Sequence, residues 1–470
     1  MLRTLALSLT LAVLVGPVRA ADRNILFFVA DDHGAEALGA YGNRVVKTPS
    51  LDALAAEGVR FSHAFGTTAS CSASRSVLLT GVQNHRNGQY GHEHEYHHFS
   101  AFPNVRSLPV MLEEAGYRTA RGGKYHVAPE SVFRFQQVIT LPKLETFIKA
   151  DSTKPFFVYY GTNEPHRPFN HDVEDRIHPS DVIVPPWLPD IPDVREELAL
   201  YYASVRKADK AFGTIVETLK RTGTYDNTLI IYLSDNGAPF PGSKTNVYEP
   251  GIRLPLIVKT PGMTRGGREN SAMVSWVDIT PTILDFAGIK IPPSQPSAAV
   301  SPGNFTNEPP GLHGRSFLPI LDQDAPMGWD EVYASHTFHE ITMYYPMRVV
   351  RTRTHKLIWN IAHPLPYPFA SDLYASKSWQ GALTRKMTTF GPRSIKDYVQ
   401  RPQFELYDLG HDPLESNNLA SDPKYAQLLA ALKEKIKRFQ ERTGDPWVIK
   451  WNYEQGSRVN GSLGSVGSGQ

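Results

Sequence analysis

Cysteine is the scarcest resource of this chain: Cys71 is the only one in 470 residues. An internal disulfide is thereby excluded, and so is any soft metal site built on several thiolates. A surplus of one charge is also missing. Lys and Arg number 49 against 47 Asp and Glu, a formal charge of +2. No concentrated basic surface follows from that balance, so a nucleic-acid partner is not expected. Beyond the amino terminus no segment offers the roughly 20 uninterrupted apolar residues of a spanning helix, so stable membrane insertion is not expected either.

The first twenty residues are the exception in hydropathy. Arg3 supplies a positive start, Thr4 to Val15 an apolar stretch, and Val18-Arg19-Ala20 a small-residue cleavage site. This pattern reads as a signal peptide over 1–20, with a mature protein that starts near Ala21 and is secreted or periplasmic. Without disulfides, stability in such a compartment must come from the core.

What the chain does have is a series of short, wholly apolar runs that stop at polar residues. Asn24 to Ala30 (NILFFVA) ends in Asp31-Asp32, Pro155 to Gly161 (PFFVYYG) leads to His166, and Thr228 to Leu233 (TLIIYL) leads to Asp235-Asn236. Runs without polar alternation are the mark of strands buried on both faces. Between them lie helix patterns at Leu51–Gly58, Ser107–Gly116, Val194–Leu219 and Thr280–Ala287, with further strands at Tyr117–Gly122 and Leu254–Lys259. The alternation predicts an α/β fold with a mostly parallel central sheet flanked by helices. Ligands of such sheets gather at the carboxyl ends of the strands, where Asp31, Asp32, His166, Asp235 and Asn236 all fall.

Pro292 to Gly311 reads as a long loop, rich in Ser, Pro, Asn and Gly. After it, Glu331–Ala334, Met347–Arg351, Lys356–Asn360 and Phe404–Asp408 read as antiparallel strands, and Pro423–Arg442 as an amphipathic helix. The expected organisation is a catalytic domain over 21–330, a smaller α+β subdomain over 331–453, and a Gly/Ser-rich disordered tail over 454–470.

Asp31, Asp32, Asp235 and Asn236 offer only oxygen ligands. Three carboxylates and an amide brought together would repel one another unless a hard cation neutralised them, which points to Ca2+, with Mg2+ as the other choice. Cys71 stands among small polar residues, Cys71-Ser72-Ala73-Ser74-Arg75, with Thr80-Gly81 just beyond. Such surroundings suit the presentation of a side chain.

Here the motifs resemble a known family. Cys71-x-Ala73-x-Arg75 with Thr80-Gly81 is similar to the signature of the type I sulfatases, in the alkaline phosphatase superfamily. Asp31-Asp32, Gly123-Lys124-Tyr125-His126, Pro165-His166-Arg167 and Asp235-Asn236-Gly237 followed by Lys244 resemble its companion motifs, in the same order. Tyr96-His97-His98-Phe99, Val105 to Pro109, His339-Glu340 with Thr342 to Arg348, and Asp445-Pro446-Trp447 resemble the heparan N-sulfatase (sulfamidase) branch in particular. The likeness runs from about Asn24 to Trp447.

The resemblance implies that Cys71 is oxidised by a maturation enzyme to formylglycine, whose hydrate is a gem-diol. It implies that this group attacks sulfur and carries a covalent sulfate, with His166 as general acid, His126 as the base that frees sulfate, and Arg75, Lys124 and Lys244 holding the charged oxygens. It also implies a sulfated saccharide substrate, most closely N-sulfated glucosamine at a non-reducing chain end in glycosaminoglycan degradation, and a homodimer. His97, His98, Arg167, His339, Glu340 and Arg348 are expected to read the sugar; salt bridges between the subdomains are the equal alternative for the last four. The stretch Gly91 to His98 alternates histidine with carboxylates as metal sites do, yet histidine runs are commonly exposed, and the resemblance favours His97 and His98 at the substrate entrance. Three other functions stay open: an O-sulfatase for another glycan, a phosphonate or phosphate ester hydrolase, and an inactive sulfated-glycan binding protein that keeps its thiol.

Overall fold

The computed structural model describes residues 23–169, 176–290 and 310–454. The expected signal peptide, nearly all of the Pro292–Gly311 stretch and the tail beyond Glu454 lie outside the described residues.

An eight-stranded sheet organises the first part of the chain. Its strands are β1 (Asn24–Ala30), β2 (Val59–Phe61), β3 (Arg118–Gly123), β4 (Gln137–Ile139), β5 (Phe156–Gly161), β6 (Thr228–Ser234), β7 (Leu256–Lys259) and β8 (Arg268–Asn270), in the order β8-β2-β7-β6-β1-β5-β3-β4. β1 lies at the centre, parallel to both β5 and β6. Its burial explains its composition: Ile25, Phe27 and Val29 enter one core, while Leu26, Phe28 and Ala30 enter the core on the other face. A strand covered on both sides has no face to make polar. Only β7 runs against the rest, pairing antiparallel with β6 and β2, which the sequence pattern alone did not specify.

Helices cover the sheet: α1 (Pro49–Glu57), α2 (Cys71–Thr80), α3 (Pro192–Arg221) and α4 (Ile279–Phe286). In α2 all ten residues are buried. Small side chains at Ser72, Ala73, Ser74 and Ser76 let its backbone approach its neighbours, and the segment expected to present a side chain, to which the sequence reading gave no secondary structure, is a helix inside the protein.

A second, antiparallel sheet carries β9 (Glu331–His336), β10 (Met347–Thr352), β11 (His355–Asn360) and β12 (Phe404–Asp408), paired in chain order. Helix α5 (Ala426–Thr443) packs Leu432 and Ile436 against Val350, Leu357 and Leu406 of this sheet. Among the described residues no helix is long and apolar enough to cross a membrane.

Two fully buried histidines tie the second sheet down. His85 sets its ring nitrogens 2.8 Å from Ser335 Oγ and 2.9 Å from Thr443 Oγ1, and His336 lies 3.3 Å from Thr68 Oγ1. Burial pushes His85 down to about 4 and His336 to about 3, against about 6.5 for a free imidazole. The unfolded chain therefore takes up these protons first, so their stabilising share is complete above about 6.5 and is lost as pH falls toward the folded values. Each can cost up to about 2 kcal/mol between pH 6.5 and 5. The expected result is a larger fall in unfolding free energy from pH 7 to 5 in the wild type than in His85→Gln. Identical pH dependence of the two proteins would contradict the assignment.

Candidate active site

The site is assembled by strand ends. In the register of β1 and β6, Ala30 faces Ser234, so Asp31 and Asp235 emerge side by side at the carboxyl edge. The ladder extends one step further, with Asp235 N donating to Ala30 O at 3.1 Å. Lys124 leaves β3 where Gly123 pairs with Gly161. A Cβ at Gly161 would lie 2.0 Å from Lys124 O and 2.7 Å from Arg75 Nη1, so only glycine admits both groups.

Cys71 opens α2 and is fully buried. Its Sγ lies 3.7 Å from Asp32 Oδ1. Arg75, one helical turn on, shares that face: Nε donates to Asp235 Oδ2 at 2.8 Å, Nη2 to Asp31 Oδ1 at 3.3 Å, and Nη1 to Tyr159 OH at 2.9 Å. Lys124 Nζ bonds Asp31 Oδ2 at 2.5 Å. Lys244 Nζ, also buried, lies 3.0 Å from Asp32 Oδ2, 2.9 Å from His166 Nε2 and 3.1 Å from Asp372 Oδ2. Burial alone would discharge Lys244, but Asp32 and Asp372 outweigh it and hold its pKa well above the usual lysine range. Four carboxylates, Asp31, Asp32, Asp235 and Asp372, are thus met by three cations, Arg75, Lys124 and Lys244.

The thiol itself is poorly disposed to react. Burial first, then Asp31, Asp32 and Asp235, push Cys71 well above the ordinary thiol range, so the thiolate that a cysteine nucleophile requires is suppressed.

The oxygen donors fit a hard cation. Ligand atoms of Asp31, Asp32, Asp235 and residue 71 all lie within 4.8 Å of one another. Asn236 donates through Nδ2 to Asp32 Oδ1 at 2.6 Å, while its buried Oδ1 has no hydrogen-bond partner. Burial, countered by Arg75 but reinforced by Asp31 and Asp32, raises Asp235 to about 7. An orphaned acceptor beside an excess of negative charge is what a bound divalent ion would relieve.

Next to this charge network opens a cleft of about 520 Å³ lined by His92, His94, His97, Lys124, His126, His166, Lys244, His339, Glu340 and Asp372 among others. Its size is that of a small-molecule site. His126 is half-buried, and burial, with Lys124 and His92, holds its pKa well below the usual imidazole range, so it is neutral and able to accept a proton.

The six residues expected to read a sugar separate clearly. His97, His339 and Glu340 line the cleft. Glu340 accepts from Ser371 N and Oγ, and His97 Nδ1 from Ile341 N. Arg167 lines a neighbouring hollow with Lys124 and His166 and is clamped to Glu197 at 2.6 Å. His98 is exposed and is not among the cleft's lining residues. Arg348 is fully buried away from the cleft, with Asp445 at 2.5 Å. Its ion pair lies inside 331–453 rather than between the two units, so it fits neither the sugar role nor the bridging alternative: the guanidinium is taken up by Asp445 and by the carbonyls of His336 and Met347.

Sequence reasoning missed Asp372, which after Asp32 helps to keep Lys244 charged, and the contact of His94 with His126. Asp372 lies in a helix of four residues, Ser371–Tyr374, with no neighbouring motif. His94 lay inside a histidine run whose partner is 32 residues away.

Comparison with known proteins agrees with this geometry. The sulfatase family profile matches residues 23–139 and 134–289. N-sulphoglucosamine sulphohydrolase of Homo sapiens is 39% identical over 93% of this chain and 94% of its own length. An ulvan-active sulfatase of Formosa agariphila is 29% identical over 90% of this chain and 80% of its own. A solved structure described as a complex with its substrate D-glucosamine-2-N,6-O-disulfate superposes with a TM-score of 0.64 at 21% identity, covering 90% of this chain and 98% of the other, a likeness of fold.

Proposed function

Because the chain belongs to the sulfatase family and is therefore a hydrolase of sulfate esters or sulfamates, we propose that it removes the N-sulfate of glucosamine at the non-reducing end of heparan-type saccharides. The observation that carries this reading is residue 71, buried against Asp32 among the carboxylates that Arg75, Lys124 and Lys244 hold, with both lysines lining the cleft. The human relative's identity over nearly the whole chain supports the sulfamate choice.

The suppressed thiol supports a nucleophile other than the thiolate. Converted by a maturation enzyme to formylglycine and hydrated, residue 71 supplies a hydroxyl to attack sulfur and a second one that lets sulfate leave by elimination. Arg75, Lys124 and Lys244 hold the sulfate oxygens and offset the charge that would repel the attack. His166 Nε2 here accepts from the Lys244 ammonium at 2.9 Å and lies 3.7 Å from Asp32 Oδ2; as general acid it must first take up the proton that it passes to the departing nitrogen. Neutral His126 accepts the proton that must leave for sulfate release. His339, Glu340 and His97 hold the sugar, with Arg167 beside them. Cleft residues come from both proposed units, 21–330 and 331–453, so neither forms the site alone.

A divalent cation, Ca2+ by its ligand preference, would be held by Asp31, Asp32, Asp235 and Asn236 and would supply positive charge beside the nucleophile. Exhaustive chelation is then expected to lower activity and thermal stability together; both unchanged would exclude it. Residues 1–20 support export, to the periplasm or beyond the cell, and the family likeness supports a homodimer, to be read by light scattering.

A substrate panel tests the assignment. Glucosamine N-sulfate should be turned over at least about tenfold faster than O-sulfated saccharides, and aryl phosphonates slower still. An O-sulfated sugar as best substrate would make this an O-sulfatase; a phosphonate at equal rate would remove the sulfur preference. In His166→Ala, sugar substrates should slow more than activated aryl sulfates, which need no proton to leave.

A further inference from the structure

Above the oxygen-donor centre, and sharing no residue with it, three imidazoles converge. His92, His94 and His126 each bring a ring nitrogen within 4.8 Å of the other two. His94 Nδ1 is 2.6 Å from His126 Nε2, and the ring centroids of the three lie 4.7 to 4.9 Å apart. The buried Nδ1 atoms of His92 and of His126 have no hydrogen-bond partner. His92 is 5% exposed, and its Nε2 meets only the ring of His339, at 3.0 and 3.1 Å.

Such packing leaves lone pairs without protons. Burial is the first cause that lowers all three rings, aided for His92 by His339 and for His126 by Lys124. Neutral imidazoles crowded together can share one proton between His94 and His126, but further nitrogens stay unsatisfied at a cost of about 1–3 kcal/mol each. A divalent transition ion would satisfy three lone pairs at once. Nitrogen donors select zinc or copper over calcium, and three histidines with an open fourth position make a familiar zinc geometry. All three residues line the cleft, from which an ion could enter. Zn–N distances of about 2.0–2.1 Å place tetrahedral donors about 3.3 Å apart, so His94 must retreat from His126 by several tenths of an ångström. As a half-buried loop residue, His94 can do so.

We propose that His92, His94 and His126 form a transition-metal site, distinct from the oxygen-donor centre, that takes Zn2+ or Cu2+ and by engaging His126 switches hydrolysis off. The second half rests on the proton-accepting role proposed above for His126; the first does not. The ion would act as a reversible inhibitor of the finished enzyme.

Spectroscopy on the full-length protein, saturated with Ca2+, separates the two halves. One equivalent of Co2+ should give the visible absorption of a tetrahedral nitrogen site and be displaced by Zn2+. His94→Gln and His92→Gln should each weaken Co2+ binding at least about tenfold. Absence of stoichiometric binding, or binding unaltered in both variants, overturns the site. Zn2+ should also inhibit the wild type reversibly, with chelation restoring activity, and inhibit His94→Gln at least about tenfold less sensitively. Binding without inhibition overturns the switch and counts against His126 as proton acceptor, while leaving the site itself established. Neither result depends on which sulfated compound is the natural substrate.

Discussion

Cys71→Ala is expected to lower turnover by about 10⁴- to 10⁶-fold, the cost of losing a covalent nucleophile, and to leave unfolding almost unchanged. The two effects separate because of what the side chain touches. Its sulfur makes one weak approach, 3.7 Å to Asp32 Oδ1, while the carboxylates and cations around it hold one another. Removing it leaves that charge network in place, so the change in stability should stay within about 1 kcal/mol. Cys71→Ser should behave differently, because a single hydroxyl can take up sulfate but has no neighbour on the same carbon to expel it. That variant should release at most one equivalent of leaving group and stall. The state of residue 71 is read directly from the mass of the tryptic peptide from Phe61 to Arg75 in protein from its native host. An intact thiol there would leave a glycan-binding protein on this fold, whereas full activity in Cys71→Ala would remove the nucleophile assignment from an enzyme that still works.

Arg348→Ala is expected to destabilise the protein by about 3–5 kcal/mol, the cost of leaving a buried charge without its partner. Arg348 Nε and Nη2 meet the two oxygens of Asp445 at 2.5 and 3.0 Å, and both side chains are fully buried. The Arg348 Nη1 also donates to the backbone of His336 and Met347. Asp445 in turn accepts from Gln440 and from Trp447 N, so the pair fastens the end of α5 to β10. Arginine holds Asp445 well below the usual carboxylate range, against the upward push of burial. Replacing both partners by apolar residues, Arg348→Met with Asp445→Leu, should recover much of the loss, since no lone charge remains. A variant of normal stability whose KM for sulfated sugar rises would return Arg348 to the substrate site.

Much of the catalytic half was legible because its signals are local. NILFFVA, PFFVYYG and TLIIYL could not be half-exposed strands, since they have no polar face, and a parallel sheet follows from burial on both sides. Polar residues immediately after such strands must then gather at one edge, which brings Asp31, Asp32, Asp235 and Asn236 together without further information. That Cys71 and Arg75 share a helical face became visible only with the helix over Cys71–Thr80, which the sequence reading had not assigned. The reversal of β7 was not legible, because strand direction depends on a connection's path, and composition records only burial.

The cations and imidazoles were harder to read, because they differ in environment and hardly in type. Arg167, Arg348 and Lys244 are all cations in polar surroundings along the chain. Only packing decides that Arg167 meets Glu197, that Arg348 is locked to Asp445, and that Lys244 reaches Asp32 and His166 beside Asp372. The histidine run from His92 to His98 shows the same limit: His92 and His94 turn toward His126, while His98 faces solvent. Sequence by itself determined the sheet, the acidic strand ends and the singular residue 71, since burial and strand polarity act through neighbours in the chain. The tertiary structure decided which cations and imidazoles face the cleft, because that choice depends on charges and lone pairs meeting across segments hundreds of residues apart.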